Sequence, residues 1–476
     1  MTVLTPSYGS FHTLPRAREL GSIDVPYRDE IRNVAVFEIV IDGVRTVLFE
    51  HGALAPTTPG LVYHDDGSMR PYATDANKFA FFCSAAAEWI CALPAAPDAV
   101  HLHDWHAAYY LLQRNYSPLA DKLRDLRTVF TIHNLAYQGQ RPLAGDDSSL
   151  EAWFPKMHYD VDAVADPAAD DCINPMAFAI RAADSVNTVS PTYAQEIQCP
   201  SNPANGFIGG EGLENELVRV ANDGRLFGIL NGCDYSENLG RRPGWQRLVM
   251  AGRDTVDGWL RKTPDSPDHV LARQRLSELP KRRPLHVLTS IGRIVAQKIQ
   301  LFLQPLADGR SALDHILENL GHGGVFILLG SGNAEYEDDI AALAGKYENF
   351  VFLRGYAEAF GDLMYHGGDL FLMPSSFEPC GISQMLAMRA GQPCVVHGVG
   401  GLHDTVASGE TGFVFAGKTP AEQAEAFVEC VDQALALRRD HPNRWQRIRK
   451  AAAAQRFDWR STAQQYIEQM YEPTRH

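Results

Sequence analysis

The sequence predicts an α/β protein built on parallel sheets, and two observations carry that reading. Short β-branched and aliphatic runs alternate with helical patterns from one end of the chain to the other. That order places helices on both faces of a sheet. Several runs are continuously apolar, as strands covered on both faces are, whereas half-exposed strands alternate.

Taken in order, the runs predict strands at 34–41, 44–49, 99–103, 127–132, 185–189 and 226–230. After a gap come 285–291, 325–329, 350–353, 369–373, 394–397 and 412–415. Helical spacing lies between them. The run 382–390, for example, is stopped by Gly391 with Pro393 just beyond, a helix end marked by the residues that cannot continue it. The gap is polar and Pro-rich: Arg241-Arg242-Pro243-Gly244, then Thr263-Pro264-Asp265-Ser266-Pro267-Asp268. It reads as a connection between two doubly wound domains. The domains are expected at 1–235 and 284–455, with 236–283 linking them. A closing helix is expected over 456–476, from Phe457-Asp458-Trp459 toward Tyr471.

Composition excludes several classes. The chain has 476 residues, 45% hydrophobic and 21% charged, the balance of a globular protein with ample core. Disorder, fibrous repeats and disulfide-stapled miniproteins are excluded. The net charge of −15 gives no general attraction to phosphate backbones. The densest basic spot, Lys281-Arg282-Arg283, sits in the Pro-flanked connection and reads as a solvated turn, so no nucleic-acid partner is expected. Eight cysteines without a CxxC pair suit reduced thiols. The most apolar stretch, Phe79 to Leu93, carries Glu88 and stops at Pro94, short of the ~20 residues of a membrane span. The opening residues lack the basic and apolar regions of a signal peptide. The expected location is cytoplasmic, with no membrane partner.

Ligands of open α/β sheets bind beyond the carboxyl ends of the strands, and the unusual residues fall in those loops. After 127–132 comes His133-Asn134-Leu135-Ala136-Tyr137-Gln138-Gly139; after 285–291 come Gly292-Arg293 and then Lys298. After 369–373 comes Pro374-Ser375-Ser376-Phe377-Glu378-Pro379-Cys380-Gly381, and after 394–397 comes Gly398-Val399-Gly400-Gly401. Gly381, Ile382 and Ser383 open a helix, whose free N–H groups suit an anion. Arg293 and Lys298 form a cationic clamp able to neutralise a diphosphate leaving group without a metal. Gly400 and Gly401 permit close backbone approach to a ligand. Glu378 suits sugar or ribose hydroxyls. Singly, each has a plainer reading as a surface pair or a helix cap. Gly330-Ser331-Gly332 lacks the third glycine of a dinucleotide fingerprint. His101, His103 and His106 straddle a strand end, so at most two share a face, and no metal site is expected.

Together these segments resemble the bacterial glycogen synthase and plant starch synthase family. The matching pieces are HDWH (His103–His106), FTIHNLAYQG (Phe130–Gly139), TVSPTYAQEI (Thr188–Ile197), GILNGCDY (Gly228–Tyr235), GRIVAQK (Gly292–Lys298), GYAEAF (Gly355–Phe360), PSSFEPCGISQMLAMRAG (Pro374–Gly391) and GGLHDTV (Gly400–Val406). The resemblance implies a GT-B architecture, two Rossmann-like domains with the active site between them. It implies transfer of glucose from ADP-glucose to the non-reducing end of an α-1,4-glucan such as glycogen, with retention, no cofactor and no metal. By the same resemblance Arg293 and Lys298 hold the departing diphosphate. Glu378 binds glucose hydroxyls or supports the developing positive sugar. Cys380, Gly381, Ile382 and Ser383 contact sugar and phosphate, Tyr356 stacks on adenine, and His133, Asp104 and Asn231 line the glucose side. Gly400 and Gly401 complete the donor-binding set.

The sequence also departs from the family pattern. The family opens with a strand and a Lys-x-Gly-Gly-Leu loop, whereas Thr2–Tyr8 here matches the family segment just after that unit. A first domain short of a central strand and one phosphate contact is the expectation. Ile299 stands where the family prefers Gly, and Asn333 where it often has Asp. The rival readings are a non-catalytic or fragmentary glucan-binding relative and a GT-B glucosyltransferase with a different donor or acceptor.

Overall fold

The computed structural model describes residues 1–57, 61–235 and 242–472, and every strand expected from the apolar runs forms within them. Strands that the sequence hid also form. The first domain opens with β1 (Thr2–Pro6), β2 (Arg18–Tyr27), β3 (Glu30–Ile41) and β4 (Val44–Glu50), in sheet order β1-β4-β3-β2. β1 runs parallel to β4, while β2, β3 and β4 form an antiparallel meander. Asp42 and Gly43 turn β3 into β4 with φ of 50° and 81°, the tight turn whose twist matches paired strands. Gly21 and Pro26 conceal β2. Gly21 lies at a register shift beside Glu19, and Pro26 is tolerated because β2 is the sheet's edge.

The second sheet of this domain holds β5 (Ala99–His103), β6 (Arg127–Ile132), β9 (Ser185–Thr188) and β10 (Leu226–Gly228). Between them, β7 (Arg141–Pro142) and β8 (Cys172–Ile173) make a small ribbon. The order is β10-β9-β6-β5, all parallel. One core runs under both sheets, joining Val34, Val47 and Phe49 to Ala80, Leu111 and Phe130. The single doubly wound sheet expected here is therefore two sheets, one of them mixed. β1 and β5 each end their sheet.

The second domain is a six-stranded parallel sheet: β11 (His286–Ile291), β12 (Gly324–Gly330), β13 (Phe350–Arg354), β14 (Leu370–Met373), β15 (Cys394–His397) and β16 (Phe413–Phe415). Its order is β13-β12-β11-β14-β15-β16. The chain reverses direction across the sheet between β11 and β14, which makes their carboxyl ends the topological switch point.

The segment read as a linker is mostly helix. Trp245–Leu260 and Pro267–Glu278 are helical, and Trp245, Leu248, Val256 and Leu276 pack on Val287 and Val325. Its opening residues, 236–241, lie outside the described residues. Pro and Asp at its helix starts made it look like loop: Ser266 caps the second helix, with Pro267 at its first position. After Pro420–Asp440 and Pro442–Ala454 the chain crosses back. The N–H of Cys233 donates to the Phe457 carbonyl at 2.7 Å, and Trp459–Tyr466 continues as a turn over Ile467–Tyr471. Tyr466 and Met470 pack on Val129 and Ile229 of the first domain. Residues 473–476 lie outside the described residues.

Candidate active site

The loops after β11 and β14 meet at the switch point. Lys298, on the helix Ala296–Leu303, forms an ion pair with Glu378, and the Ser375 hydroxyl donates to the same carboxylate oxygen at 3.0 Å. Both side chains are largely buried. The loops are locked to each other by backbone: the N–H of Ser376 donates to the Gln297 carbonyl at 2.8 Å, and Nε2 of Gln297 donates to the Phe377 carbonyl at 2.9 Å. Arg293 lines the same hollow as Lys298 and Ser375. It is exposed, and no ion pair holds it among the described residues.

Gly330-Ser331-Gly332 has a packing role. A Cβ on Gly330 would stand 2.1 Å from the Gly292 carbonyl oxygen, and one on Gly332 would stand 2.3 Å from that of Ile294. The glycines let β12 close onto the loop that presents Arg293. Asn333 caps the helix Ala334–Lys346 by accepting from the N–H of Glu335 at 2.9 Å.

The first domain brings a second group together. Asp104 has φ of 54°, a backbone conformation uncommon outside glycine. Its Oδ1 accepts the N–H of His133 at 2.7 Å, and burial raises the Asp104 carboxyl despite His133. His133 Nε2 lies 3.0 Å from Nδ1 of His103, and His103 stacks on His101 with centroids 4.3 Å apart. His101 in turn lies 2.6 Å from both the Tyr471 hydroxyl and the Thr131 hydroxyl. Desolvation, then the neighbouring imidazoles, hold His101 down to about 3 and His103 to about 4. Among the described residues no group of three or more ligating side chains is placed to hold a metal.

The domains touch beside the loop that carries Glu378. The Ser190 hydroxyl donates to the Pro379 carbonyl at 2.6 Å, the N–H of Thr192 donates to Asp404 at 2.8 Å, and the N–H of Gly400 donates to Glu196 at 3.0 Å. Ser190 also caps the helix Pro191–Glu196.

The residues expected to contact the donor have well-defined protein surroundings. Gly400 and Gly401 meet protein rather than open space: Cβ atoms there would stand 2.0 Å from the Glu378 carbonyl oxygen and 2.2 Å from that of Cys380. The N–H of Gly401 donates to the Glu378 carbonyl at 3.0 Å. These glycines seat the Glu378 loop. The Cys380 thiol points into a small core with Val189, Cys233 and Met385, where burial pushes it up to about 12. The Asn231 backbone bonds that thiol, which fixes Asn231 beside the loop. The helix after Gly381 starts at Ser383 and runs only to Arg389, with Ile382 as its cap residue. The Ser383 hydroxyl is taken by the Tyr365 hydroxyl at 3.0 Å, and Ile382 is exposed. Tyr356, at 79% exposed, stands clear of the other site residues. Ser375, Gln297, Ser190 and Glu196 were missed as site residues. Ser190-Pro191 carried a helix-start signal, while the others act through contacts that join distant loops.

Two sheet domains of this order, with a charged pair at the switch point and polar loops facing it, define a GT-B glycosyltransferase. Residues 1–219 match the family of the starch synthase catalytic domain, and residues 286–433 match the glycosyl transferases group 1 family. The glycogen synthase of Ligilactobacillus salivarius is 33% identical over 425 residues, covering 86% of this chain and 80% of the relative. That of Deinococcus radiodurans is 32% identical over 472 residues, covering 98% and 90%. Among solved structures, the catalytic domain of Arabidopsis thaliana starch synthase IV, bound to ADP and acarbose, superposes with a TM-score of 0.73 at 25% identity, covering 98% of this chain and 91% of that one. Thermosynechococcus elongatus sucrose-phosphate synthase, at TM-score 0.51 and 16% identity over 90% and 84% of the two chains, shares the fold. The chain belongs to the glycogen synthase family and is a glycosyltransferase.

Proposed function

We propose that this chain transfers glucose from ADP-glucose to the non-reducing end of an α-1,4-glucan, with retention at the anomeric carbon. The Lys298–Glu378 pair at the switch point, with unpaired Arg293 beside it, is the observation that carries this reading. In the resting cleft Lys298 is charge-matched by Glu378. A bound diphosphate competes for Lys298 and gains Arg293, so cationic charge gathers on the leaving group as the glycosidic C–O bond breaks. Glu378, released from Lys298, faces the developing positive sugar or its hydroxyls. The acceptor hydroxyl then attacks from the face the diphosphate leaves, and its proton passes to that leaving group. Two cationic side chains take the place of a metal ion, so chelation with EDTA leaves turnover unchanged. His133, Asp104 and Asn231 shape the glucose side.

The ADP in the Arabidopsis neighbour supports the adenine donor, and exposed Tyr356 is free to stack on the base. A cytoplasmic location suits eight unpaired cysteines, and among the described residues no helix is long and apolar enough to cross a membrane.

One observation favours a second reading, a glucan-binding relative without turnover: Lys298 is already occupied by Glu378. Labelled-glucose incorporation into glycogen separates the readings when ADP-glucose and UDP-glucose are run in parallel. Turnover with ADP-glucose is the expected result. Turnover with UDP-glucose alone overturns the donor assignment, and glycogen binding without turnover by either donor selects the second reading.

A further inference from the structure

In the basic triplet Lys281-Arg282-Arg283, Lys281 and Arg282 are exposed as a solvated turn requires, but Arg283 is partly buried and paired. Nη2 of Arg283 donates to Oδ1 of Asp369 at 3.0 Å and to the Gly367 carbonyl at 2.8 Å. Arg242 reaches the same Oδ1 at 2.7 Å and the Gly367 and Gly368 carbonyls at 3.0 and 2.6 Å. Arg438 closes on Oδ2 at 3.0 Å, an oxygen that also accepts the N–H of Val287 at 3.0 Å. Arg449 stands beside them. Its Nε donates to the Gly391 carbonyl at 2.9 Å, and no carboxylate pairs with it among the described residues. Four guanidiniums thus gather at the amino-terminal ends of β11 and β14, a strand length away from the catalytic loops.

The charges do not balance. Asp369, 3% exposed, is the one carboxylate in contact among the described residues. The carboxyl ends of the helices Glu358–Gly367 and Pro420–Asp440, the latter carrying Arg438 in its last turn, add about half a negative charge each, leaving about 2 positive charges uncompensated. A chain with 58 acidic and 43 basic residues has no shortage of carboxylates to place here. The strain registers in the groups themselves. Arg283, Arg438 and Arg449 sit below the usual guanidinium range, first through burial and then, against the pull of Asp369, through one another. Burial, and then Arg438 and Arg242 respectively, also lower His286 and His366 at the same end. Nε of Arg242 is buried without a hydrogen-bond partner among the described residues. Yet Arg242, Arg283 and Arg438 keep 29%, 27% and 17% of their side chains exposed, so a solute can reach them.

We infer that Arg242, Arg283, Arg438 and Arg449 form a binding site for a polyvalent oxyanion of the phosphate class, separate from the catalytic cleft. Forked guanidiniums match phosphate oxygens in pairs, and two negative charges would leave the cluster close to neutral. Arg449 separates a ligand site from a structural ion-pair network. It makes no hydrogen bond to Asp369 and adds repulsion to the other three, and its one hydrogen bond among the described residues, to the Gly391 carbonyl, needs no guanidinium charge.

Thermal melting tests this with inorganic phosphate, glycerol 3-phosphate and pyrophosphate, each against sodium chloride at matched ionic strength. Because the catalytic cleft also meets phosphates, the titrations are run on the wild-type chain and on Arg293→Gln/Lys298→Gln. A saturable rise in melting temperature of several degrees is expected in both. The tighter of phosphate and the monoester identifies the source of the oxyanion. In Arg449→Gln the apparent affinity should fall at least tenfold, while the ligand-free melting temperature holds or rises. Arg242→Gln gives a second reading of the same loss. A response no larger than that of chloride, or one that survives intact in Arg449→Gln, overturns the site. A response present in the wild type and absent from Arg293→Gln/Lys298→Gln also overturns it, by assigning the anion to the cleft.

Discussion

The Tyr471 hydroxyl lies 2.6 Å from Nδ1 of His101, joining residues 370 positions apart. Through it the end of the chain reaches the cleft wall. His101 stacks on His103, and His103 faces His133 at 3.0 Å. The closing helix thus supports the His133 loop as well as covering the first domain.

That row of imidazoles makes the fold acid-sensitive. His101 and His103 of that row are held to about 3 and about 4, and His106, packed on Trp105 outside it, to about 3, against an ordinary value of 6.5. Their folded-state values lie below those of the unfolded chain, so below about pH 6.5 the unfolded state takes up protons that the fold refuses. Stability should therefore fall from pH 6.5 toward pH 4, each histidine contributing at most about 1.4 kcal/mol per pH unit. Urea unfolding at pH 7, 6, 5 and 4.5 measures the slope, and His101→Asn should flatten it.

Lys298→Ala removes the clamp's inner cation. Turnover should fall by about 10²- to 10³-fold, the usual cost of one group stabilising a developing charge. The fold should survive, because the Ser375 hydroxyl still donates to Glu378. Initial rates with ADP-glucose, beside circular dichroism, check both halves.

Gly401→Ala tests the seat of the Glu378 loop. The new Cβ would meet the Cys380 carbonyl oxygen at 2.2 Å, and backbone cannot yield as a flexible side chain does. Activity should drop at least about tenfold, since misplacement of ~1 Å at a reacting centre is already costly. A lowered melting temperature should accompany it.

Asp369→Asn leaves Arg242, Arg283 and Arg438 without their shared carboxylate. Breaking a buried ion pair from one side typically costs about 3–5 kcal/mol, and chemical denaturation should show a loss of that order. Phosphate in the buffer should recover part of it if the anion site forms there.

The second domain was legible in the sequence almost residue by residue. Its strands are continuous apolar runs, such as Val325–Leu329, buried on both faces and bounded by glycine, so period and burial agree. The first domain was less legible. β2 carries Gly21 and Pro26, which read as breakers but are tolerated at an edge. The helix Trp245–Leu260 was hidden among prolines and charges that turned out to be helix starts and ion-pair partners. Among the site residues, the loops bearing Arg293, Lys298, Glu378 and His133 were visible because strand ends locate them.

The sequence by itself determined the alternating α/β order, the position of the polar loops at strand ends, and the residues that mark the family. All three rest on local periodicity and short motifs. The tertiary structure alone decided that Lys298 faces Glu378, that Gly400 and Gly401 pack against the backbone of the Glu378 loop, and that Arg283 shares Asp369 with Arg242 and Arg438. Each of these contacts joins segments far apart in the chain, and periodicity carries no information about which strand ends become neighbours. The strand order, reversing between β11 and β14, supplies that information, because it sets the charged loops side by side.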